Sequence, residues 1–224
     1  QLGDATSAIQ TYDAVLEEDA TDVGALSALD RLYRQTESWV EYASVLERRI
    51  ELDTSEADLV DLKYRLAQTQ LTELGDAAKA LENFREILFL DANHDGARLA
   101  LEGLLADETL RGEAARILAT IYEQREDWQK LLEALEILAE ATDDPDQKVA
   151  LLRKMASTAS NQLGSSEAAI DAQARAVKAD PGNADARLEL EELAEQAGAS
   201  EKLIEIYRDI ALKLTDPDLA REYW

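Results

Sequence analysis

The sequence predicts an all-α solenoid of antiparallel helix pairs, about twelve helices in number. Three observations carry that prediction. Alanine, leucine and glutamate dominate the 224 residues, aromatics make up 5%, and no β-branched run is present to build a sheet. A helix–turn–helix unit over residues 61–94, DLKYRLAQTQLTELGDAAKALENFREILFLDANH, recurs along the chain. Residues 31–106 also slide onto 120–195 without a gap, with roughly a quarter of positions identical, the self-similarity of a repeat array.

The unit at 61–94 shows how each pair is built. Leu62, Leu66, Ala67, Gln70 and Leu71 recur at three- and four-residue spacing, which places them on one helical face. Ala77, Ala80, Leu81, Phe84, Ile87 and Leu88 do the same for a second helix. Gly75 ends the first helix in a left-handed conformation, and Asp76 caps the second. Asp91-Ala-Asn93 closes the unit with turn residues. Neither helix can bury its stripe alone, so each must pack on the other and on neighbouring copies.

In chain order, a helix is expected at about residues 4–18. The step from Gly3 to Glu37 is 34 residues and from Glu37 to Gly75 is 38, the extra residues falling in Asp53-Thr-Ser-Glu-Ala-Asp58. Ser55-x-x-Asp58 reads as a capping box that opens a long helix, about 54–74. In Thr142-Asp-Asp-Pro145-Asp and Thr215-Asp-Pro217-Asp, proline follows aspartate as the first helical residue after a cap. Helix 93–105 has first-helix character, yet 107–124 is a first-helix type again, with Asp107-Glu-Thr read as its N-cap. The stack is expected to be irregular near residues 105–112. Trp39 to Trp128 and Gly75 to Gly164 are both 89 residues, so two supermodules, 20–106 and 107–198, are read within one array spanning 1–224. The second is poorer in large side chains: Gln173 stands where an aromatic is expected and Ser160 where the first copy has Leu71, so an alanine-rich helix at 167–179 is expected to pack close to its neighbours. Both ends read as cut within a repeat, so the array is expected to continue beyond them.

These residues resemble the tetratricopeptide repeat. Its second-helix signature, a small residue, three others, then an aromatic, appears as Ala80-x3-Phe84 and Ala8-x3-Tyr12, and more loosely as Tyr42-x3-Leu46, Leu131-x3-Leu135 and Leu203-x3-Tyr207. Its first-helix signature appears as Leu26-x2-Leu29-x3-Tyr33 and Ala115-x2-Leu118-x3-Tyr122. The chain is similar to divergent tandem repeats of a bacterial-type scaffold. The resemblance implies a right-handed superhelical solenoid and protein–protein interaction without catalysis. The reading is an adaptor that holds a partner segment in a concave groove; the alternative is a spacer or assembly subunit docking or self-associating through solenoid edges and ends.

Composition narrows the rest. The net charge of −25 argues against nucleic-acid backbone as a ligand. The longest aliphatic or aromatic run, Ile87–Leu90, is far short of a membrane span. Cysteine is absent, which removes disulfides, thiol nucleophiles and thiolate metal sites without choosing a compartment. Cytoplasm is favoured, with the periplasm open if a leader lies outside these residues. His94, the single histidine, stands in a predicted turn and is read as a solvated loop residue, so no catalytic, cofactor or metal set is assembled. Asp143-Asp144-Pro-Asp146 lacks the spacing of a calcium loop and reads as helix capping. Trp39 and Trp128 read as rings wedged between paired helices.

The candidate ligand residues are three basic-then-threonine pairs on long first helices: Arg65/Thr69, Arg116/Thr120 and Lys154/Thr158. Each pair is four apart and shares a face. In repeats of this resemblance first helices line the concave groove, and some members clamp a terminal carboxylate with a basic residue followed one turn later by asparagine. Threonine replaces asparagine here. A basic stripe in an acidic solenoid fits an acidic peptide through charge-assisted hydrogen bonds; the alternative is ordinary helix pairing, Arg65 with Asp61 and Arg116 with Glu113.

Overall fold

The computed structural model describes residues 2–52 and 55–223, and all its regular structure is helical. Gln1, Asp53, Thr54 and Trp224 lie outside the described residues, and with them the first two residues of the expected insertion. The chain resolves into two compact units, residues 1–104 and 105–224.

The first unit holds α1 (Leu2–Glu18), α2 (Val23–Gln35), α3 (Trp39–Leu52), α4 (Glu56–Thr72), α5 (Ala77–Leu90) and α6 (Asp95–Leu104). The second holds α7 (Arg111–Gln124), α8 (Trp128–Ala141), α9 (Pro145–Asn161), α10 (Ser166–Ala179), α11 (Ala184–Gln196), α12 (Ser200–Ala211) and the short α13 (Pro217–Arg221). The described residues thus form thirteen helices against the twelve expected. Within each unit substantial packing runs between helices that are consecutive in the chain and three to five residues apart in sequence, the pattern of antiparallel helix pairs.

The turns explain the spacing. At Gly75 (φ 67°) and Gly164 (φ 62°) the left-handed backbone lets the next amide reach back: Asp76 N–H donates to Gln70 O and Ser165 N–H to Ala159 O, both at 2.8 Å. Glu37 (φ 55°) and Glu126 (φ 57°) make the same reversal, with Ser38 N–H on Tyr33 O and Asp127 N–H on Tyr122 O at 2.9 Å. A glutamate there carries a steric cost of about 1 kcal/mol that glycine avoids. All four positions repeat at 89 residues. Gly3 does not belong to this series, because it lies inside α1.

The capping residues also take their places. Ser55 accepts from Asp58 N–H, Asp76 from Lys79 N–H, and Asp144 and Asp216 cap α9 and α13 with proline next in line. Two expectations change. Asp107 does not begin α7. Its carboxylate accepts the Thr109 and Leu110 amides and closes a turn, so regular helix starts at Arg111. His94 is not a solvated loop residue. Its Nδ1 accepts Ala97 N–H at 3.0 Å and its ring lies 4.8 Å from that of Tyr64, so it caps α6. Asn183, 89 residues on, caps α11 by the same bond to Ala186 N–H.

Pair packing follows the signature residues. Ala80 and Phe84 are both fully buried, as are Ala97 and Leu101 of α6. Burying a ring the size of Phe84 contributes about 3 kcal/mol. The alanine at position 80 lets helices approach, and the ring one turn later fills the space beside it. Trp39 is partly buried against the core of the first unit, edge-on to Tyr42 with centroids 6.0 Å apart.

The first unit also buries a charge. Asp30 on α2 is 3% exposed and is held by Arg49 of α3 and Arg65 of α4. Arg65 donates as well to the Tyr42 hydroxyl, at 2.7 and 3.0 Å. Three consecutive helices are thereby tied through one carboxylate. Burial works against the charged guanidinium of Arg65, but the bonds to Tyr42 and Asp30 outweigh it and hold its pKa above the ordinary arginine value.

Removing the acid would leave two partly buried cations unpaired. With Arg49 and Arg65 retaining 23% and 24% side-chain exposure, water recovers part of that loss. Asp30→Ala is expected to lower the unfolding free energy by about 2–3 kcal/mol. Urea denaturation followed by circular dichroism checks this, and an unchanged midpoint would contradict it.

Candidate functional site

The three basic-then-threonine pairs land in different surroundings. In each, the threonine hydroxyl donates to the carbonyl four residues back: Thr69 to Arg65 at 2.9 Å, Thr120 to Arg116 at 3.4 Å and Thr158 to Lys154 at 2.8 Å. Thr69 and Thr158 are buried, and this bond is how a buried hydroxyl within a helix is satisfied. Only Thr120 stays exposed.

The basic residues divide. Arg65, in the first unit, turns inward to Asp30 and Tyr42, with Asp61 at 3.6 Å as an additional partner. Arg116 is exposed and pairs with Glu113 on its own helix. Lys154 reaches across from α9 to Glu123 of α7 at 2.7 Å. Arg116 and Lys154 line one cleft of about 550 Å3 between α7 and α9. Leu138 and Ala141 of α8 and Gln147 and Leu151 of α9 line it as well. Such surface ion pairs contribute little to stability, so an incoming carboxylate could replace Glu113 or Glu123 at small cost.

The divergence of the two copies explains why Lys154 is available. Positions 89 residues beyond Asp30, Tyr42 and Arg49 are Ala119, Leu131 and Leu138. Ala119 and Leu131 are buried, so the second copy has an apolar interior where the first has an ionic one. The residue equivalent to Arg65 has no buried acid to hold it, and its ammonium stays at the surface.

A second cleft, about 560 Å3, lies between α9 and α11 and shares Ala150 and Lys154 with the first. Its floor is Gln173 of α10, 1% exposed, whose Nε2 donates at 2.9 Å to Ala186 O and to Glu189. Arg153 closes one side by gripping Glu189 with two bonds, one of 2.9 Å from Nε. That guanidinium holds the Glu189 carboxyl below the usual glutamate range; burial opposes it and the Gln173 amide assists. The alanine-rich helix α10 buries Ala169, Ala172, Ala174 and Ala176. Sequence reading registered Gln173 and Ser160 as departures from the repeat pattern. The signal it passed over was that both departures point at one place.

Among the described residues, no group of three or more histidine, aspartate or glutamate side chains is arranged to hold a metal ion. No described helix is long and apolar enough to cross a membrane.

No family model and no curated protein matches the chain. Solved structures similar to it include BtubC (BKLC) from P. vanneervenii, at 13% identity over 94% of this chain and 88% of that one, with a TM-score of 0.36. Yeast Tom70 is 14% identical over 99% of this chain and 57% of its own, with a TM-score of 0.38. The TPR2AB domain of yeast Sti1, solved with pHSP90, is 20% identical over 98% of this chain and 89% of its own, with a TM-score of 0.32. Similarity at this level names no ligand and no partner for this chain.

The lowered pKa of Glu189 gives the second cleft a pH dependence of known sign. A carboxylate depressed in the folded state adds stability above its unfolded value, near 4.5, and loses it as pH falls through the folded value. Glu189→Gln is therefore expected to be less stable than wild type at pH 6, with the gap narrowing as pH falls below 4.5. Urea midpoints across pH 6 to 3 measure it; a constant gap would contradict the assignment.

Proposed function

We propose that the chain is a non-catalytic adaptor that binds a segment of another protein along the face formed by α7, α9 and α11. One observation carries the reading: Arg116 and Lys154 line a single open cleft, each held by a carboxylate at the surface. In a chain with a net charge of −25, two cations on one cleft form a local site for an acidic segment. Arg65 is assigned a different role in this reading, because its guanidinium is engaged by Asp30 and Tyr42 inside the first unit. Thr69, Thr120 and Thr158 shape their helices through bonds to their own backbones and leave recognition to the basic residues.

The spacer or assembly reading rests on a different observation. Phe89 is 87% exposed on α5, and Ile204 and Leu212 are 66% and 71% exposed in and after α12. Apolar side chains so placed suit contacts along edges.

The two readings separate in a capture experiment. The wild-type chain and an Arg116→Glu/Lys154→Glu variant serve as baits in a lysate, with bound proteins quantified by mass spectrometry. The adaptor reading predicts a partner whose capture falls at least about tenfold in the variant, the loss of one charge-assisted bond already amounting to that. Identical partner sets would overturn it. Concentration-dependent self-association in sedimentation, abolished by Phe89→Ser and unaffected by the charge reversals, would favour the spacer.

A further inference from the structure

The cleft between α9 and α11 exists because the second copy has lost side chains that the first retains. Positions 89 residues before Arg153, Ser157, Ser160 and Gln173 are Tyr64, Gln68, Leu71 and Phe84. In the first unit Phe84 is fully buried and the Tyr64 ring lies against it, centroids 6.2 Å apart, with Gln68 donating to the Tyr64 hydroxyl at 2.8 Å. In the second unit two serines and a glutamine stand at three of those places, and the fourth residue, Arg153, is drawn aside to Glu189. The missing volume is that of an aromatic ring and its neighbours.

The chemistry of the lining is specific as well. Ala150, Ala156 and Leu193 give the cleft apolar walls. Glu189 accepts from Arg153 and from Gln173, so its charge is already answered. Gln173 donates through Nε2 to Ala186 O and Glu189, and its Oε1 takes no hydrogen bond from any described residue. A carbonyl acceptor on the floor of a cleft roomy enough for a ring suits a donor at the tip of an apolar group. Arg153 and Lys154 also line the cleft, and cations there suit the face of an aromatic ring. A guanidinium would meet the cations of Arg153 and Lys154 as well as the carboxylate of Glu192, and an aliphatic side chain would leave Oε1 unsatisfied.

We propose that this cleft receives a tyrosine side chain of the bound protein segment, its ring in the space that Tyr64 and Leu71 take in the first copy and its hydroxyl donating to Gln173 Oε1. This rests on the adaptor reading and specifies what the bound segment must contain. The neighbouring cleft, with Arg116 and Lys154, then takes an acidic residue of the same segment, because the two clefts share Lys154.

Side-chain analogues test this without knowledge of the partner. p-Cresol, toluene and n-butylguanidinium are titrated into the 15N-labelled chain, with the Gln173 side-chain amide and the Ser157 and Ser160 backbone amides as reporters. The expected result is saturable binding of p-cresol, at least about fivefold tighter than toluene, consistent with one added hydrogen bond. Ser157→Gln/Ser160→Leu/Gln173→Phe, which restores first-copy residues, is expected to stay folded and lose p-cresol. Gln173→Met, which keeps volume and removes the acceptor, is expected to bring p-cresol down to toluene, and it serves should the triple variant fail to fold. No saturable shift, equal binding of p-cresol and toluene in wild type, or preference for n-butylguanidinium would each overturn the inference. Arg116 does not line this cleft, so p-cresol binding persists in Arg116→Glu. Loss of p-cresol alone, with partner capture still sensitive to Arg116→Glu, would sink the tyrosine site and spare the adaptor reading.

Discussion

Close approach of paired helices at an alanine is the contact on which each unit is built. Ala80 and Ala169 occupy the same place in the two copies, and both are fully buried. An alanine there lets α4 and α5, or α9 and α10, come near enough for their apolar stripes to cover each other, which neither helix achieves alone. What stands one turn later decides the character of the unit. Phe84 fills the space beside the approach in the first unit with an apolar ring, whereas Gln173 puts a buried amide there, on the floor of a cleft.

The ionic network follows the same division. Asp30, Arg49, Arg65 and Tyr42 bind three helices of the first unit through a buried carboxylate, a costly arrangement that is tolerated because both remaining partners are hydrogen-bonded. Alanine and leucine take over in the second copy, and the basic residue of α9 is left at the surface. The loss of an inner acid and the loss of large side chains thus expose, in one unit, both a cation and a cavity. The turns are kept where these side chains differ, since left-handed positions recur at Glu37, Gly75, Glu126 and Gly164 with the 89-residue spacing.

Much of the frame was legible in the sequence because its signals are local. Helix caps such as Asp144-Pro145, the reversal at Gly75, and the stripe from Leu62 to Leu71 depend on residues within a turn or two of each other. What escaped was non-local or chemically ambiguous. The burial of Asp30 depends on Arg49 and Arg65, 19 and 35 residues away, and no periodicity on α2 reveals them. His94 looked like a loop residue because histidine is an uncommon cap, although Asn183 at the matching place was the clue. The start of α7 was misplaced because Asp107 makes cap-like bonds in a turn that precedes the helix. For the candidate site, spacing placed each basic residue on a helical face, but only packing decides whether that face looks inward, as for Arg65, or outward, as for Arg116.

The central claim, that the residue one turn after the buried alanine helps decide how the interhelical space is filled, is tested most directly by exchanging Phe84 and Gln173. Thermal and urea unfolding of Phe84→Gln and Gln173→Phe would be measured against wild type. The account predicts asymmetry: Phe84→Gln loses about 3 kcal/mol or more, from the cavity and the buried amide, while Gln173→Phe loses clearly less, because apolar burial of its ring offsets the two bonds given up to Ala186 O and Glu189. Comparable losses of that size in both variants would contradict it, since they would make Gln173 as integral to the packing of its unit as Phe84 is to the other.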